Sequence, residues 1–598
     1  MKTLVKNQHG FIIFISLIMV MISLGFTVGY LHFVMGERII FSQRLAETRA
    51  RFNAVSGLTP INALIKSPNY NTASDTTLDE QEIAAMYGGF RDVKGEMREN
   101  LQTQRSMRHG RATGYSTYNS FANEPIEVEY TMEINYRARG FEEFMYLTNE
   151  EAPGGAYWMG TSVNFGSGEQ LEGLVYSNDD ITMSNFGCPE FIDYETDTDY
   201  EQSQVYTAGV FNMGNCNENS VFEGVYKDSM PEIEWPPYEG QDAVRAKADY
   251  IYYGNAQINT LDPDHEDFHI MTNISFGANS FTVKRWTYQI PPTEPSTVVP
   301  PGDPYNDPDF SREMRMYQPV FYRNDRNLGQ NTFRGDIEFT HFDFPQPPDP
   351  ADLLTNETVM TPRAVIWIEG GQVQVQMESG APIRGRYTLA TSGPQPYKMA
   401  HDDETIRELN CNIWIMTDLI YEGSNPVSGY INPGNPNRLG LLSGGNIIVA
   451  NTFANGKRNR ASGQDVRINA AMIAMNESFV IQYWQNSTAG FNFMDGQAIK
   501  GDGRGVPTPF SPNTGTSDIR GDVMIYGSVV QDKRGYLKRN NPAPGTGGYP
   551  ITPGIGYEKD YHYDRNLRDF PPPEWPETKN SDGSSSLQLD GIGEYLGE

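Results

Sequence analysis

The clearest hydrophobic pattern of the chain lies at its N-terminus. Residues Phe11 to Gly36 include no Asp, Glu, Lys or Arg, and these 26 residues exceed the roughly 20 that a helix needs to cross a bilayer. A secretory signal peptide would have an apolar run of only about 7 to 15 residues. Lys2 and Lys6 precede the run and Glu37 follows it. Because positive charge is retained in the cytoplasm, the pattern predicts a single-pass inner-membrane helix with the rest of the chain outside the cytoplasm.

A helical periodicity continues beyond the membrane segment. Positions on one helix face recur at alternating steps of four and three residues, Phe41, Leu45, Thr48, Phe52, Val55 and Leu58. Gly57 or Pro60 is expected to stop this helix, so residues 11–60 are predicted to form one transmembrane and stalk helix. The alternative is a plain transmembrane anchor followed by a separate juxtamembrane helix.

The rest of the chain has the pattern of a mainly β protein. Apolar and polar side chains alternate strictly from Ile126 to Tyr136, which predicts a strand with one buried face. Further along, short apolar runs recur between Gly and Asn turns, as in residues 171–183 and 440–449. Such short rungs predict a right-handed parallel β-helix-like solenoid with loop insertions. An antiparallel sandwich with the same turn residues is the alternative.

The leader resembles that of a known family. Lys6-Asn7-Gln8-His9-Gly10, followed at once by Phe11, resembles the leader junction of type IV prepilins. The resemblance implies that a prepilin peptidase cuts between Gly10 and Phe11 and that the new amino terminus is methylated. Ile15 occupies the fifth mature position, where major pilins carry Glu, and PilX-type minor pilins and K-type pseudopilins also lack that Glu. A tip or minor subunit is therefore implied, rather than a repeating one.

The C-terminal part shows a second resemblance. Residues from about 364 to 576 are similar to a β-helical domain of unknown function found in bacterial pilus-associated exported proteins. The resemblance rests on four runs and a proline triplet, Arg438–Leu442, Asp465–Ala474, Val523–Gln531, Gly556–Asp564 and Pro571–Pro573. It implies a structural or assembly role, because no catalytic residues are associated with that domain.

Together these patterns divide the chain into seven predicted segments. They are a prepilin-like leader (1–10), a transmembrane and stalk helix (11–60), a connecting region with a β-strand segment (61–150), a first β-helix-like part (151–231), a proline-rich insertion (232–362), a β-helix-like C-terminal domain (363–576) and a flexible tail (577–598).

Composition excludes one class of partner and leaves few cysteines to consider. The net charge of -30 and pI near 4.7 exclude nucleic acid, because phosphate binding needs clustered Lys and Arg. The chain has three cysteines. Cys188 and Cys216 are a candidate disulfide of an exported protein, and Cys411, in an apolar run, is expected to be a buried, unreactive thiol.

Few residues suggest chemistry. Oxygen donors in Asp262–His269 could hold calcium, but the run lacks the glycine and terminal glutamate of an EF-hand loop, which favours a solvated acidic loop. His562, near Asp560 and Asp564, could act as a general base held by a carboxylate. Ser443 lacks the flanking glycine of a nucleophile elbow and is expected to be a turn residue. We therefore assign no catalytic residue, metal or cofactor, and the chain is not predicted to be an enzyme.

The sequence thus predicts a minor pilin-like structural or assembly protein of a type IV pilus or a type II secretion pseudopilus. Its expected partners are the membrane, other pilins or pseudopilins, the inner-membrane assembly platform and a prepilin peptidase. The body would lie in the periplasm, at the cell surface or in a pilus. The alternative is a membrane-anchored surface protein that binds or cleaves glycans on an exposed sheet face.

Overall fold

The computed structural model describes most of the chain as two compact units. The described residues are 4–65, 76–77, 89–99, 106–151, 164–185, 187–196, 199–235, 240–253, 268–289, 349–399, 402–409, 411–450, 452, 454–455, 465–481, 490–492, 497–501, 507–509, 518–535, 537–539, 555–580 and 587–594. Unit 1 comprises residues 1–138 and 584–598, and unit 2 comprises residues 139–583. A long N-terminal helix followed by a mainly β chain, as predicted, is confirmed.

Unit 1 consists of a long helix and an antiparallel sheet. Helix α1 spans Leu4–Ile65. The first strands are β1 Thr76–Thr77, β2 Phe90–Glu99, β3 Ser106–Asn119 and β4 Pro125–Ala138. They lie side by side in that order, and the C-terminal strand Leu587–Glu594 pairs with β4 at the edge of the sheet. In the sequence, unit 2 is therefore an insertion between two strands that are neighbours in the sheet of unit 1.

The C-terminal part of α1 packs closely on this sheet. Its packed face carries buried alanines and then larger apolar residues, Ala46, Ala50, Ala54, Leu58, Ile61 and Ile65. A Cβ atom on Gly114 of β3 would lie 2.0 Å from the carbonyl oxygen of Ala50. The side chain of Asn53 donates a 2.9 Å hydrogen bond to the carbonyl of Tyr115. Only glycine allows the strand to approach the helix backbone at this distance.

The helix extends further than the sequence indicates. Instead of stopping at residue 60, α1 continues through Pro60 to Ile65. Proline removes one helical hydrogen bond and crowds the preceding turn. Leu58, Ile61 and Ile65 are nevertheless buried in the core of unit 1, and this burial offsets the cost.

The predicted connecting region and tail both contribute strands to unit 1. Within residues 61–150, β2 and β3 precede the predicted strand. Where β3 faces the helix it carries Gly110, Ala112 and Gly114, because close packing requires small residues there. These residues are too small to give the sequence pattern of large apolar residues at every second position that would have predicted this strand. Within the predicted tail, Leu587 packs against the same core and its strand pairs with β4.

Unit 2 is built from many short strands. In chain order they are β5 Tyr146–Glu150, β6 Glu169–Glu172, β7 Leu174–Ser177, β8 Ile181–Thr182, β9 Glu190–Ile192, β10 Tyr194–Glu195, β11 Tyr200–Glu201, β12 Gln204–Thr207, β13 Phe211–Asn212, β14 Val225–Lys227, β15 Ile233–Glu234, β16 Tyr250–Tyr253, β17 Phe268–Gly277, β18 Ser280–Gln289, β19 Thr355–Met360, β20 Arg363–Glu369, β21 Gln372–Met377, β22 Arg386–Thr391, β23 Gln395–Met399, β24 Asp402–Leu409, β25 Ile413–Ile415, β26 Arg438–Ser443, β27 Ile447–Val449, β28 Val466–Ala474, β29 Phe479–Ile481, β30 Gly490–Asn492, β31 Gln497–Gly501, β32 Pro507–Pro509, β33 Asp518–Lys533, β34 Lys538–Arg539, β35 Ile555–Tyr563 and β36 Lys579–Asn580. The last strand of unit 1, Leu587–Glu594, is β37. Short helices cover Glu218–Val221, Gly240–Ala246 and Asn566–Asp569, with 3-10 turns at Phe141–Glu143 and Pro350–Asp352.

Two sheets of unit 2 contain long parallel stacks. One has the order β14-β12-β7-β5-β33-β28-β26-β22-β20-β16, and each pair along this path is parallel. The other has the order β19-β18-β17-β21-β25-β27-β29 and is parallel from β17 to β29. From β20 to β29 the chain alternates between the two sheets, apart from the hairpin of β23 and β24. Stacked amides follow the same repeat, since Asn446 donates to Asn412 and Asn412 donates to Gln372.

The early and late strands of unit 2 meet at β5. From β5, the strands β7, β12 and β14 extend the sheet in one direction. At the opposite end the sheet begins with β16, and the strands that follow it in the sequence are added in order until β33, which pairs with β5. β35 pairs with β33 and with β6, so it joins the two series a second time. Residues far apart in the sequence are therefore neighbours at this junction.

The predicted insertion 232–362 is partly integrated into these sheets. Strand β16 pairs with β20, and β17, β18 and β19 continue the second sheet. Tyr252 and Ile274 lie in the core, so these strands follow the same burial rule as the rest of unit 2. The proline-rich residues 290–348 lie outside the described residues.

Candidate functional site

The first candidate site is the apolar part of α1. Within Gly10–Ala63, the helix contains a window long and apolar enough to cross a membrane, as an anchor or signal sequence would. Phe11 and Ile15 are exposed and Gly36 is half-buried. Since α1 begins at Leu4, the predicted cleavage junction between Gly10 and Phe11 lies within the helix.

The predicted apolar face beyond residue 36 is largely exposed. Phe41 and Phe52 are each 69% exposed, and Leu45 and Val55 are exposed as well. Thr48 is also exposed, whereas Leu58 is buried in the core of unit 1. At 3.6 residues per turn this exposed stripe, Phe41, Leu45, Thr48, Phe52 and Val55, lies nearly opposite the alanine face that packs on the sheet. Within the part of unit 1 that the structure describes, the helix therefore has one face packed on the sheet and one exposed face.

The second candidate site surrounds His562 on β35. Its Nδ1 lies 3.0 Å from Glu172 Oε2, and its Nε2 lies 2.8 Å from Asp560 Oδ1. The ring stacks on Tyr526 with centroids 4.5 Å apart. Tyr430 packs edge-on against Tyr526, with centroids 5.7 Å apart. Burial opposes the charged form, but the hydrogen bonds to the two carboxylates outweigh it and raise the pKa of His562 to about 9.

This geometry makes His562 a hydrogen-bond donor that links two carboxylates, rather than a general base. A protonated imidazole donates to both carboxylates and has no lone pair left to accept a proton. Strand alternation places Asp560 and His562 on one face of β35, opposite Tyr561. Asp564 does not join them: it is buried and accepts hydrogen bonds from Asn566, and burial raises its pKa.

A buried ionic cluster lies at the junction of the early and late strands. Arg534 Nη1 is 2.9 Å from Glu151 Oε2, and Arg534 Nη2 is 3.3 Å from Glu169 Oε2. Lys559 Nζ is 2.7 Å from Glu169 Oε1. The Arg534 side chain is 0% exposed and its guanidinium lies over the ring of Phe165. Burial raises the pKa of Glu169, but Lys559 and Arg534 reverse this and lower it below its usual value.

The balance of charge gives this cluster a structural role. Two cations face two anions, so the cluster is neutral when all four groups are ionised. Each cation also contacts carboxylate oxygens at salt-bridge distance, which is the condition for burying a charge without a large penalty. The cluster therefore ties the ends of β5 and β33 to β6 and β35. Burial lowers the pKa of Lys559 to about 8, although the Glu169 carboxylate opposes this shift.

The cysteines are arranged as the sequence suggested. Cys188 and Cys216 form a disulfide with Cα atoms 5.7 Å apart. Cys411 is free and buried, and burial raises the pKa of its thiol to about 12. Ser443 was expected to be a turn residue, but it is the last residue of β26; it is buried, and its hydroxyl donates to the carbonyl of Asn446 across the bend that follows.

The acidic loops give no metal centre in the part of the chain that the structure describes. Among the described residues no group of three or more His, Cys, Asp or Glu side chains is placed to hold a metal ion. Residues 262–267 of the acidic loop that was considered as a calcium site lie outside the described residues. His269, which closes that loop in the sequence, lies in β17 and pairs with Tyr288.

Several functional neighbours were not predictable from the sequence. Glu172 precedes His562 by 390 residues, and Arg534 contacts Glu151 across 383 residues. Their pairing depends on the return of the late strands to β5 and β6. The one local signal was the alternation along β35, which places His562 and Asp560 on one face.

Comparison with known proteins gives no relative for this chain. No family model, no curated protein sequence and no solved structure matches it significantly. The resemblances to prepilin leaders and to a β-helical domain therefore remain predictions from the sequence.

Proposed function

We propose that this chain is a minor pilin-like structural or assembly protein of a type IV pilus or a type II secretion pseudopilus. Its α1 helix would be held in the inner membrane before assembly, and unit 2 would be carried outside the cytoplasm, in the periplasm or on the surface. The chain would act by packing and would perform no catalytic turnover. Its partners would be other pilins or pseudopilins and the inner-membrane assembly platform.

The exposed stripe is the observation that carries this proposal. A plain anchor needs apolar side chains only across the roughly 30 Å hydrocarbon core. Here large apolar residues continue for about five helical turns past Glu37 and Arg38, in water unless something covers them. Their alternating spacing of four and three is the spacing with which one helix packs on another. A neighbouring helix is therefore the partner that this surface fits.

We also infer that unit 2 is a right-handed parallel β-helix-like solenoid with loop insertions. Two observations and one general rule support this. The chain alternates between two parallel stacks, a third row of parallel bridges joins residues 278, 384, 383, 421, 419 and 468, and connections between parallel strands are right-handed in nearly all proteins. A cryo-electron microscopy map of the full chain would decide it, and an antiparallel or left-handed path would contradict the inference.

The processing step can be tested with matched glycine variants. Gly10 and Gly25 both lie in α1, and a Cβ added at either position meets no atom within 4 Å, so the same substitution can be made at both. In cells with a prepilin peptidase, we expect N-terminal mass spectrometry to find a mature chain beginning at Phe11. Gly25→Val should be processed in the same way, whereas Gly10→Val should keep its leader. An intact leader in the unaltered protein would remove the pilin assignment.

The packing step can be tested on the stripe itself. Phe52→Glu places a charge on the exposed face and leaves the alanine face and the sheet untouched. We expect it to abolish incorporation into filaments or pseudopili, measured by immunogold electron microscopy, and to leave the circular dichroism spectrum unchanged. Phe52→Leu keeps an apolar contact and should be incorporated normally. Equal incorporation of both variants would contradict packing through this stripe.

A further inference from the structure

The tip of the β3–β4 hairpin in unit 1 displays an apolar side chain. Between the two strands the chain turns through residues 120–124, where the Ser120 amide donates to the Glu124 carbonyl at 2.8 Å. Asn123 adopts a left-handed conformation with φ of 61°, which Asn tolerates. Phe121 at the tip is 67% exposed. The turn is thus closed by its own hydrogen bonds and holds the ring outward.

The hairpin runs along α1 toward the membrane segment. Gly110 of β3 lies against Ile61 and Ile65, whereas Gly114, four residues later, lies against Ala50 and Ala54. Strand and helix are therefore antiparallel. From Gly114 to the end of β3 at Asn119 the strand advances roughly 17 Å, which equals about eleven helical residues.

This advance places the hairpin tip beside the end of the apolar segment. The end of β3 is level with about residue 41 of α1, and the turn beyond it reaches about residues 37–40. Burial along the helix agrees with this placement. Ala46 is buried, and Ile39 and Ser42, further toward the membrane on the same side of the helix, are half-buried.

We propose that the tip of the β3–β4 hairpin is a second membrane contact, in which Phe121 enters the interfacial layer of the bilayer beside the point where α1 leaves it. The proposal rests on the membrane anchoring included in the proposed function. Residues 37–40 directly follow the uncharged run, so their level is the headgroup layer, about 5–7 Å deep on each side of the core. Aromatic side chains are favoured at that depth.

The charge of the hairpin end indicates the kind of lipid contact. Glu124 lies in the turn with Phe121, Glu127 pairs with Thr117 further down the hairpin, and both glutamates are exposed. Acidic residues do not attract anionic headgroups, so the contact depends on the apolar ring and should form on zwitterionic lipid. Two contacts, the helix and the hairpin, would fix the rotation of α1 about its axis and so direct the exposed stripe.

The test is depth-dependent fluorescence quenching of the full-length protein in phosphatidylcholine vesicles. Single cysteines at positions 26, 121 and 592 are labelled with an environment-sensitive dye, and nitroxide is placed near the headgroups or deep in the acyl chains. The native cysteines do not compete, because Cys188 and Cys216 are joined and Cys411 is buried. Phe26→Cys reports on the anchor itself.

Ile592→Cys is the matched control within the same sheet. Ile592 is exposed and apolar like Phe121, but it pairs with Ile134, which pairs with Gly110 beside Ile61. It therefore lies about 35 Å further along α1 from the proposed membrane surface.

The three labels separate this inference from the proposed function. We expect Phe26→Cys to be quenched by deep nitroxide, Phe121→Cys at least twofold by shallow nitroxide, and Ile592→Cys by neither. Quenching at position 26 without quenching at 121 would overturn the hairpin contact and leave the anchor intact, as when the tip instead meets a neighbouring protein. No quenching at position 26 would overturn the anchor and the hairpin contact with it.

Discussion

The close approach of α1 to the sheet makes Gly114 the most sensitive position of unit 1. In Gly114→Ala the new Cβ would lie 2.0 Å from the Ala50 carbonyl oxygen and 2.2 Å from the Ala54 amide nitrogen. Ordinary contacts of carbon are at about 3.5 Å, so helix and strand have to separate by about 1.5 Å. Both clashing atoms belong to the backbone, so no side-chain rotation relieves the contact.

The expected cost is about 3 kcal/mol, at the upper end for an overpacked core. A gap of this size forfeits much of the contact energy of the alanines and of Leu58 with the sheet. It also strains the hydrogen bond from Asn53 to the Tyr115 carbonyl. In most exposed strands the same substitution would instead be favourable, because glycine is a poor strand residue.

Hydrogen exchange of the full chain in detergent micelles measures this cost within unit 1. A loss of about 3 kcal/mol should accelerate exchange of protected amides in β3 and in residues 46–65 by about a hundredfold. Gly593→Ala, on β37 of the same sheet, is the control, because its Cβ would meet no atom within 4 Å. If the two variants exchange alike, the close packing of helix on sheet is refuted.

Three further predictions concern the body and the division into units. Because the pKa of His562 is raised from about 6.5 to about 9, its contribution to the free energy of unfolding is complete below pH 6.5 and is lost as the pH rises through 9. The unaltered protein should therefore be more stable than His562→Gln by at most about 3 kcal/mol, and this difference, measured by urea unfolding, should fall between pH 6.5 and 9. Arg534→Met leaves buried carboxylates without their cation and should destabilise the protein by about 3–5 kcal/mol. Arg565→Met removes a partly exposed ion pair with Glu201 and should cost under about 1 kcal/mol. Equal urea midpoints for the two variants would refute this distinction. Since Ala138 pairs with Leu587, replacing residues 139–586 by Asn-Gly should leave a folded unit 1, and a circular dichroism spectrum without β-structure would contradict this.

The sequence predicted the helix of unit 1 but only part of how it packs. The uncharged run and the four-three spacing predicted the helix, and the spacing correctly identified an apolar face. It did not reveal that this face is exposed and that the alanines pack, because the side that faces the sheet is chosen by strands elsewhere in the chain. Pro60 was expected to end the helix, but burial of Ile61 and Ile65 overrides a local preference.

The candidate site around His562 shows the same limit. The sequence placed Asp560 and Asp564 near the imidazole because they are close in the chain. Strand alternation keeps Asp560 on its face, and the second partner, Glu172, comes from a strand that is reached only through the return of β35 to the beginning of unit 2.

The sequence by itself determined the features that depend on neighbouring residues: the presence of an apolar N-terminal helix, the acidic charge and the alternation of short strands. Tertiary structure alone decided which strands meet, how Arg534 reaches Glu151, and that β37 completes the sheet begun by β2, β3 and β4. The physical reason is that local patterns record which side of an element is apolar, whereas the identity of the surface it covers depends on residues hundreds of positions away.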